Sequence, residues 1–155
     1  MKALSATQLA AHLSKIAERY EKLRTIFREF CAKSAVLLTA NDSPVPGIKH
    51  SFDLPNNMLR VEFCGKSYEF DFKIDHVTGK GVVTCTLPGR NPQKDRIVVG
   101  SFAFVGNADS DVLNSHGDNL RMVTPDDASH LILHMIYQDL SLAAAHSGSQ
   151  PDAAQ

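Results

Sequence analysis

The sequence predicts an α+β fold with a long N-terminal helix, an antiparallel meander of four to five strands and a C-terminal helix packed on the sheet. Apolar residues recur with a helical period near the N-terminus, alternate with a period of two in the middle, and follow a capped helical start near the C-terminus. The chain has 155 residues, 43% hydrophobic and 21% charged, which is enough for one domain with a core. We expect a single α+β domain over residues 1–146 and a disordered tail over residues 147–155, which are small and polar.

The charge balance and the lengths of the apolar runs argue against several classes of partner. The formal net charge is −1, so the chain has no basic excess to bind a nucleic acid backbone. No apolar run approaches the roughly 18 residues that a membrane span needs. The N-terminus, MKALSATQLAAHLSKIAERY, is amphipathic and charged, whereas a secretory signal has an unbroken apolar centre. We therefore expect a cytoplasmic protein that binds neither membranes nor nucleic acid.

Residues 5–31 are predicted to form a long helix that begins at a capping box made by Ser5 and Gln8. One apolar stripe follows this helix in alternating steps of four and three residues: Leu9, Leu13, Ile16, Tyr20, Leu23, Phe27 and Phe30. Such a helix is roughly 39 Å long at 1.5 Å per residue. This exceeds what a domain of this size usually covers, so we expect the helix to bend, to protrude or to meet another copy of the chain.

The residues beside the stripe bear on what covers it. A coiled coil places complementary charges next to its seam. The flanking residues contain no acid that could pair with the arginines: Ala10, His12, Ala17, Arg19, Arg24, Ile26 and Cys31. Because the small and apolar flanks also widen the stripe, the pattern favours packing on a sheet over a coiled-coil dimer.

The middle of the chain predicts four strands within residues 58–106. The segment before them, 34–40, fits either the end of a helix or a strand, and residues 41–57 have the proline-rich and asparagine-rich composition of a connecting loop. Alternating apolar and polar residues indicate strands with one exposed face. The predicted strands have the sequences LRVEFC, YEFDFKID, VVTCTL and RIVVGSFAFVG.

The last of these strands, residues 96–106, is apolar on both faces. Val98, Phe102 and Phe104 lie on one side, and Ile97, Val99, Ala103 and Val105 lie on the other. A strand of this kind is normally covered on both faces, and as the edge of a four-stranded meander it would invite aggregation. We therefore expect the 35–39 segment, residues 120–123 or a second subunit to lie against it.

Residues 124–142 predict the second helix, with Thr124 as N-cap and Pro125 at the first helical position. A polar stripe follows along one side of the helix: Asp127, His130, His134, Gln138 and Ser141. Asp127, His130 and His134 are weak candidates for metal ligands, because histidines four residues apart can reach one ion. They come from a single helix, and Leu131 stands where a zinc protease carries glutamate. The pattern favours a solvated helix face, and we expect no cofactor.

The three cysteines, Cys31, Cys64 and Cys85, are widely spaced and form no Cys-x-x-Cys pair. They have apolar or aromatic neighbours in the sequence, so we expect small buried hydrophobic residues rather than zinc ligands or nucleophiles.

No motif in the sequence identifies a reaction. The two-faced strand and the long apolar helix favour a non-catalytic protein-binding module, such as an adaptor, secretion chaperone, inhibitor or immunity-type protein, that forms a homo-oligomer and binds another protein. The alternative is a small-ligand-binding protein or small enzyme with a pocket between the sheet and the helices. His130 or His134 would then act as general base, and the pocket would be lined by aromatic residues: Tyr68, Phe70, Phe72, Phe102 and Phe104.

Overall fold

The computed structural model describes residues 2–91 and 93–149, with side chains described as far as residue 142. It confirms an α+β fold with a long first helix, an antiparallel sheet and a C-terminal helix. The elements in chain order are α1 (Ala6–Leu38), β1 (Lys49–Asp53), β2 (Met58–Phe63), β3 (Lys66–Asp75), β4 (Lys80–Pro88), β5 (Arg96–Phe104), β6 (Asp109–Leu113), β7 (Asn119–Arg121) and α2 (Pro125–Ser149).

The strands form one antiparallel sheet in which each strand pairs with its neighbour in the chain. The turn between β2 and β3 has two residues, Cys64 and Gly65, with φ values of 50° and 78°. Two left-handed residues give the type I′ turn that suits a two-residue hairpin. This tight connection sets the register in which Phe70 of β3 lies between Leu59 and Cys85 on the buried face.

The sheet contains seven strands, so the prediction of four to five was too low. The additional strands are β1, β6 and β7, which lie in or beside segments interpreted as loops. These strands are three to five residues long, and β6 and β7 are rich in aspartate and asparagine. Such residues are depleted in strands, and pairing with the longer neighbouring strands holds them in place.

The core lies between one face of the sheet and the two helices. α1 packs against β1 and β3, α2 packs against β5 and β7, and the helices contact each other. Phe27 of α1 stacks on Phe72 of β3 with ring centroids 5.6 Å apart, and Phe30 meets Phe102 of β5 edge-on at 5.9 Å. Packing on the sheet was the favoured interpretation of the apolar stripe, and it holds for the part of α1 from Leu23 onward.

Both helices extend further than the sequence indicated. The capping box at Ser5 and Gln8 is present, and α1 continues to Leu38, so most of the ambiguous 34–40 segment is helical. α2 continues to Ser149, and the rest of the tail predicted from residue 147 lies outside the described residues. In the part of the chain that the structure describes, no helix is both long and apolar enough to cross a membrane.

Candidate protein-interaction surface

The first half of α1 carries an apolar stripe that the domain leaves largely exposed. Every side chain from residue 2 to residue 22 is exposed, and the first buried side chain of the helix is Leu23. Four large apolar residues of the predicted stripe remain 37–62% exposed: Leu9 (44%), Leu13 (62%), Ile16 (45%) and Tyr20 (37%). We refer to these four residues as the exposed α1 stripe. They continue the row that Leu23, Phe27 and Phe30 bury against the sheet.

The part of α1 before Leu23 has the local signals of a helix that forms with little tertiary support. Residues 6–22 span about 26 Å at 1.5 Å per residue. The capping box satisfies two backbone N–H groups at the start, and alanine, leucine, lysine and glutamate, which favour helices, fill most of the segment. Helix propensity alone explains the backbone, but it does not explain why large apolar residues recur at every turn on one side.

Tyr20 marks the border between the buried and the exposed parts of the stripe. Its ring stacks on Phe72 of β3 with centroids 5.8 Å apart and an interplanar angle of 28°. On the other side, the Arg24 guanidinium lies 5.9 Å from the centre of the Tyr20 ring and forms an ion pair with Glu21 at 2.8 Å. Tyr20 is therefore fixed against the domain while part of its ring still faces solvent.

A second exposed apolar feature lies between β5 and α2. The β5–α2 groove has a volume of about 490 Å³ and is lined by Val99, His134, Tyr137, Gln138, Ser141 and Leu142. Beside it, Ile97 and Val98 are 56% and 65% exposed. The expectation that something lies against both faces of this strand is met on one face only, and only in its second half: Phe102 and Phe104 are buried there, whereas Ser101 and Ala103 on the opposite face are exposed and partly buried.

The pairing of β5 explains why its first half is open. The register between β4 and β5 shifts at Cys85 and Thr86, and the ladder between β5 and β6 is limited to Phe104 and Ser110. The N–H of Ala103 donates to the Asp111 carboxylate at 3.0 Å instead of continuing a backbone ladder. Along residues 96–102, β5 therefore has a ladder partner on one side only.

The aromatic residues of the predicted ligand pocket lie in the core. Each of the five is at most 8% exposed: Tyr68, Phe70, Phe72, Phe102 and Phe104. The rings of Phe72 and Phe104 are 5.9 Å apart, and they pack with α1 rather than around a space between sheet and helices. Phe104 also borders a shallow depression near β6, whereas His134 borders the β5–α2 groove on the other side of β5. The structure therefore does not bring these candidates together around one cavity.

Asp139 holds the polar end of Tyr68, which is otherwise fully buried. The Asp139 carboxylate accepts hydrogen bonds from the Tyr68 hydroxyl and the Lys66 ammonium, both at 2.7 Å. Burial acts to raise the pKa of Asp139, but these two hydrogen bonds outweigh it and lower the pKa below its usual value. Burial and the adjacent carboxylate raise the pKa of Tyr68. The contact locks α2 onto β3.

The three weak metal candidates on α2 do not converge. The Asp127 carboxylate accepts the backbone N–H of Arg121 at 2.9 Å, so it stabilises the connection from β7 into the helix. His130 is exposed and His134 is partly buried beside Tyr137. Among the described side chains, which end at residue 142, no three histidine, cysteine, aspartate or glutamate residues lie close enough to hold a metal ion.

A serine–histidine contact exists that the sequence did not indicate. The Ser34 hydroxyl lies 3.0 Å from Nε2 of His50, which is on β1. The hydroxyl also donates to the carbonyl of Cys31 at 3.0 Å, so it accepts from His50 rather than donating to it. Ser34 has no exposed surface, and burial lowers the pKa of His50. The pair attaches β1 to α1. The Ser34 hydroxyl is enclosed, whereas His50 is half-buried and borders a surface pocket between the end of α1 and β1. The segment that forms β1 was interpreted as a loop, so nothing in the sequence indicated that His50 would lie next to Ser34.

The cysteines differ in environment. Cys31 and Cys85 are buried as expected, and burial raises the pKa of both thiols, that of Cys85 to about 12. Neither is therefore a thiolate near neutral pH. Cys64 is exposed, contrary to expectation, because it occupies the turn between β2 and β3.

Comparison with protein-family models, curated proteins and solved structures gave no match to this chain.

Proposed function

We propose that the protein is a non-catalytic protein-binding module that self-associates, of the general kind of an adaptor, secretion chaperone, inhibitor or immunity-type protein. The observation that carries this proposal is the exposed α1 stripe. Contiguous apolar surface that continues a buried row is unusual on a monomeric soluble protein and is typical of a protein contact site. An exposed helical face with apolar residues at every turn is also the form in which helices bind one another.

The hydrogen bonds of the reactive side chains support binding rather than catalysis. Ser34 and His50 are tied to each other and to the helix backbone, and Asp139 is occupied by Lys66 and Tyr68. A catalytic group needs a partner oriented toward space that a substrate can enter. Each of these groups instead connects two secondary-structure elements.

The size of the stripe predicts a weak association. Burying the remaining surface of four half-exposed apolar side chains contributes about 1 kcal/mol each, or several kcal/mol when both partners contribute. Association itself costs about 4–15 kcal/mol in lost freedom of motion. The balance points to a contact that forms at high protein concentration and dissociates on dilution.

Light scattering after size-exclusion chromatography, over a range of loading concentrations, tests the proposal. The wild-type chain should gain mass as concentration rises, and Leu13→Glu should remain monomeric. Ala11→Glu is the matched control, because it changes the charge equally on the opposite side of the same helix, where Ala11 is exposed. A wild-type chain that stays monomeric at high concentration, or equal losses in the two variants, would contradict the proposal.

A further inference from the structure

We infer that the exposed α1 stripe is covered by the same stripe of a second copy, in an antiparallel helix pair with a two-fold axis between residues 14 and 15. This inference rests on the proposed function and adds the identity and the orientation of the partner. With the axis at this point, Leu9 lies opposite Tyr20 of the second copy, and Leu13 lies opposite Ile16. The four stripe residues of each copy are then covered by the four stripe residues of the other. No further residue of either copy is needed to cover them.

The position of the sheet argues against a parallel pair. From Tyr20 onward, the apolar side of α1 faces its own sheet, where Tyr20 and Phe27 both stack on Phe72. In a parallel pair, the two apolar sides face each other along the whole helix, so both sheets would occupy the space between the helices. In an antiparallel pair, the two sheets lie at opposite ends of the shared segment.

The charges beside the stripe give the same answer. In a parallel pair, the flanking position of Arg19 meets the flanking position five residues further along the partner, which is Arg24. Two arginine pairs would then face each other across the seam. In the antiparallel register, Arg19 lies near His12 of the second copy instead. Arg24 lies outside the shared segment in this register, so it faces no arginine of the second copy.

The small residues on the other flank fit the antiparallel register. Ala10 and Ala17 lie on the same side of the stripe, one on either side of the axis. An antiparallel pair places Ala10 of one copy beside Ala17 of the other, so the helices can approach closely there. An ordinary coiled-coil dimer needs acidic residues beside its seam to pair with the basic ones, and α1 has none there. A pair in which alanines pack against each other on this flank does not need them.

The contact is short, as expected for a weak dimer. The shared stripe extends from Leu9 to Tyr20, about 17 Å of helix, because the domain's own sheet covers α1 from Leu23 onward. A contact of this length is smaller than the interface of a stable dimer and belongs with weak, transient interfaces. The β5–α2 groove lies outside this contact and is not covered by it.

Disulfide trapping in the full-length chain distinguishes the two orientations. Exposed Cys64 is first replaced by Cys64→Ser, and this parent is the control for background cross-linking. Ala10→Cys and Ala17→Cys proteins carrying tags of different size are mixed under mild oxidation. An antiparallel pair should give the mixed disulfide in several-fold excess over either disulfide between identical copies. Along the axis, the two copies of position 10 lie about 14 Å apart and the two copies of position 17 about 8 Å apart, whereas position 10 of one copy and position 17 of the other lie about 3 Å apart. Leu9→Cys alone should form a disulfide only in a parallel pair.

The outcomes separate this inference from the proposed function. The selective mixed disulfide supports the antiparallel pair. A Leu9→Cys disulfide overturns it in favour of a parallel pair and leaves self-association intact. If no variant forms a disulfide but the mass still rises with concentration and Leu13→Glu abolishes this rise, the proposed orientation is overturned and self-association is not. No disulfide and a strictly monomeric parent protein overturn both.

Discussion

The Tyr20 ring stacks on Phe72 at a centroid distance of 5.8 Å, and this contact divides α1 into a half that the domain covers and a half that it leaves exposed. The same row of apolar residues runs through both halves without a change in spacing. The spacing of apolar residues is thus the same in both halves of α1, although only the second half packs on the sheet of its own chain. This contrast is the basis for assigning the exposed half to contact with another protein chain.

Replacing Tyr20 should destabilise the fold, whereas replacing Leu13 should not. Tyr20→Ala removes the stacking on Phe72 and the contact with Arg24, so we expect a loss of about 1–2 kcal/mol in the free energy of unfolding. Leu13→Ala should change it by less than about 0.5 kcal/mol, because Leu13 is largely exposed and alanine favours helices. Urea denaturation at low protein concentration measures both. Equal losses would show that Leu13 has an unrecognised contact within the chain.

Gly81→Ala should destabilise the core through Phe104. Gly81 is buried on β4, pairs with Phe104 of β5 and lies under its ring, so an added methyl group would overlap the ring. We expect a loss of about 1–3 kcal/mol, as for other overpacked core sites. Thermal denaturation is the measurement, and Phe104→Leu in the same background is the control. The glycine substitution should be less damaging when the ring is absent, and an unchanged penalty would refute the packing argument.

The contact between Asp139 and Tyr68 should appear as an energetic coupling. Asp139→Ala leaves the buried Tyr68 hydroxyl without its hydrogen bond, which should destabilise the protein by about 1–3 kcal/mol. In a Tyr68→Phe background the same substitution should have a clearly smaller effect, because no hydroxyl remains to be satisfied. A double-mutant cycle by urea denaturation measures the difference. Strict additivity of the two substitutions would mean that the hydrogen bond contributes nothing.

Asp139 should also contribute to loss of stability in acid. Its hydrogen bonds lower its pKa in the folded state below the unfolded value of about 3.9. A lowered carboxylate pKa stabilises the folded state above the unfolded pKa, and this contribution is lost as pH falls through the folded pKa. The stability difference between wild type and Asp139→Asn should therefore be constant near neutral pH and shrink below about pH 4. A difference that stays constant down to pH 2 would contradict this linkage.

The sequence was most informative where patterns are long. The seven-residue stripe of α1 and the alternation in β2–β4 predict the fold class and the buried face, because burial selects apolar residues at regular intervals. The strands β1, β6 and β7 were missed because three to five residues are too few to show a period. Their formation depends on pairing with neighbouring strands, which is a tertiary effect.

The candidate surface was only partly predictable. The stripe itself is visible in the sequence, but the position at which the sheet stops covering it depends on where Phe72 lies, and local spacing does not contain that information. Asp139 lies among apolar residues of α2, where the sequence alone gives no reason for a carboxylate. Its carboxylate accepts a hydrogen bond from the hydroxyl of Tyr68, which is 71 residues earlier in the chain. The open edge of β5 arises because β6 pairs with it only at Phe104, and the extent of strand pairing likewise leaves no local pattern.

Amide hydrogen–deuterium exchange of residues 6–22, measured as a function of protein concentration, tests the central claim most directly. A helical segment with few tertiary contacts should exchange rapidly in dilute protein, because its hydrogen bonds open locally. If a second copy covers the exposed α1 stripe, protection should rise with concentration around Leu9–Tyr20 in the wild type and in Ala11→Glu, and should remain low in Leu13→Glu. Protection that does not depend on concentration, or that rises equally in Leu13→Glu, would contradict the claim.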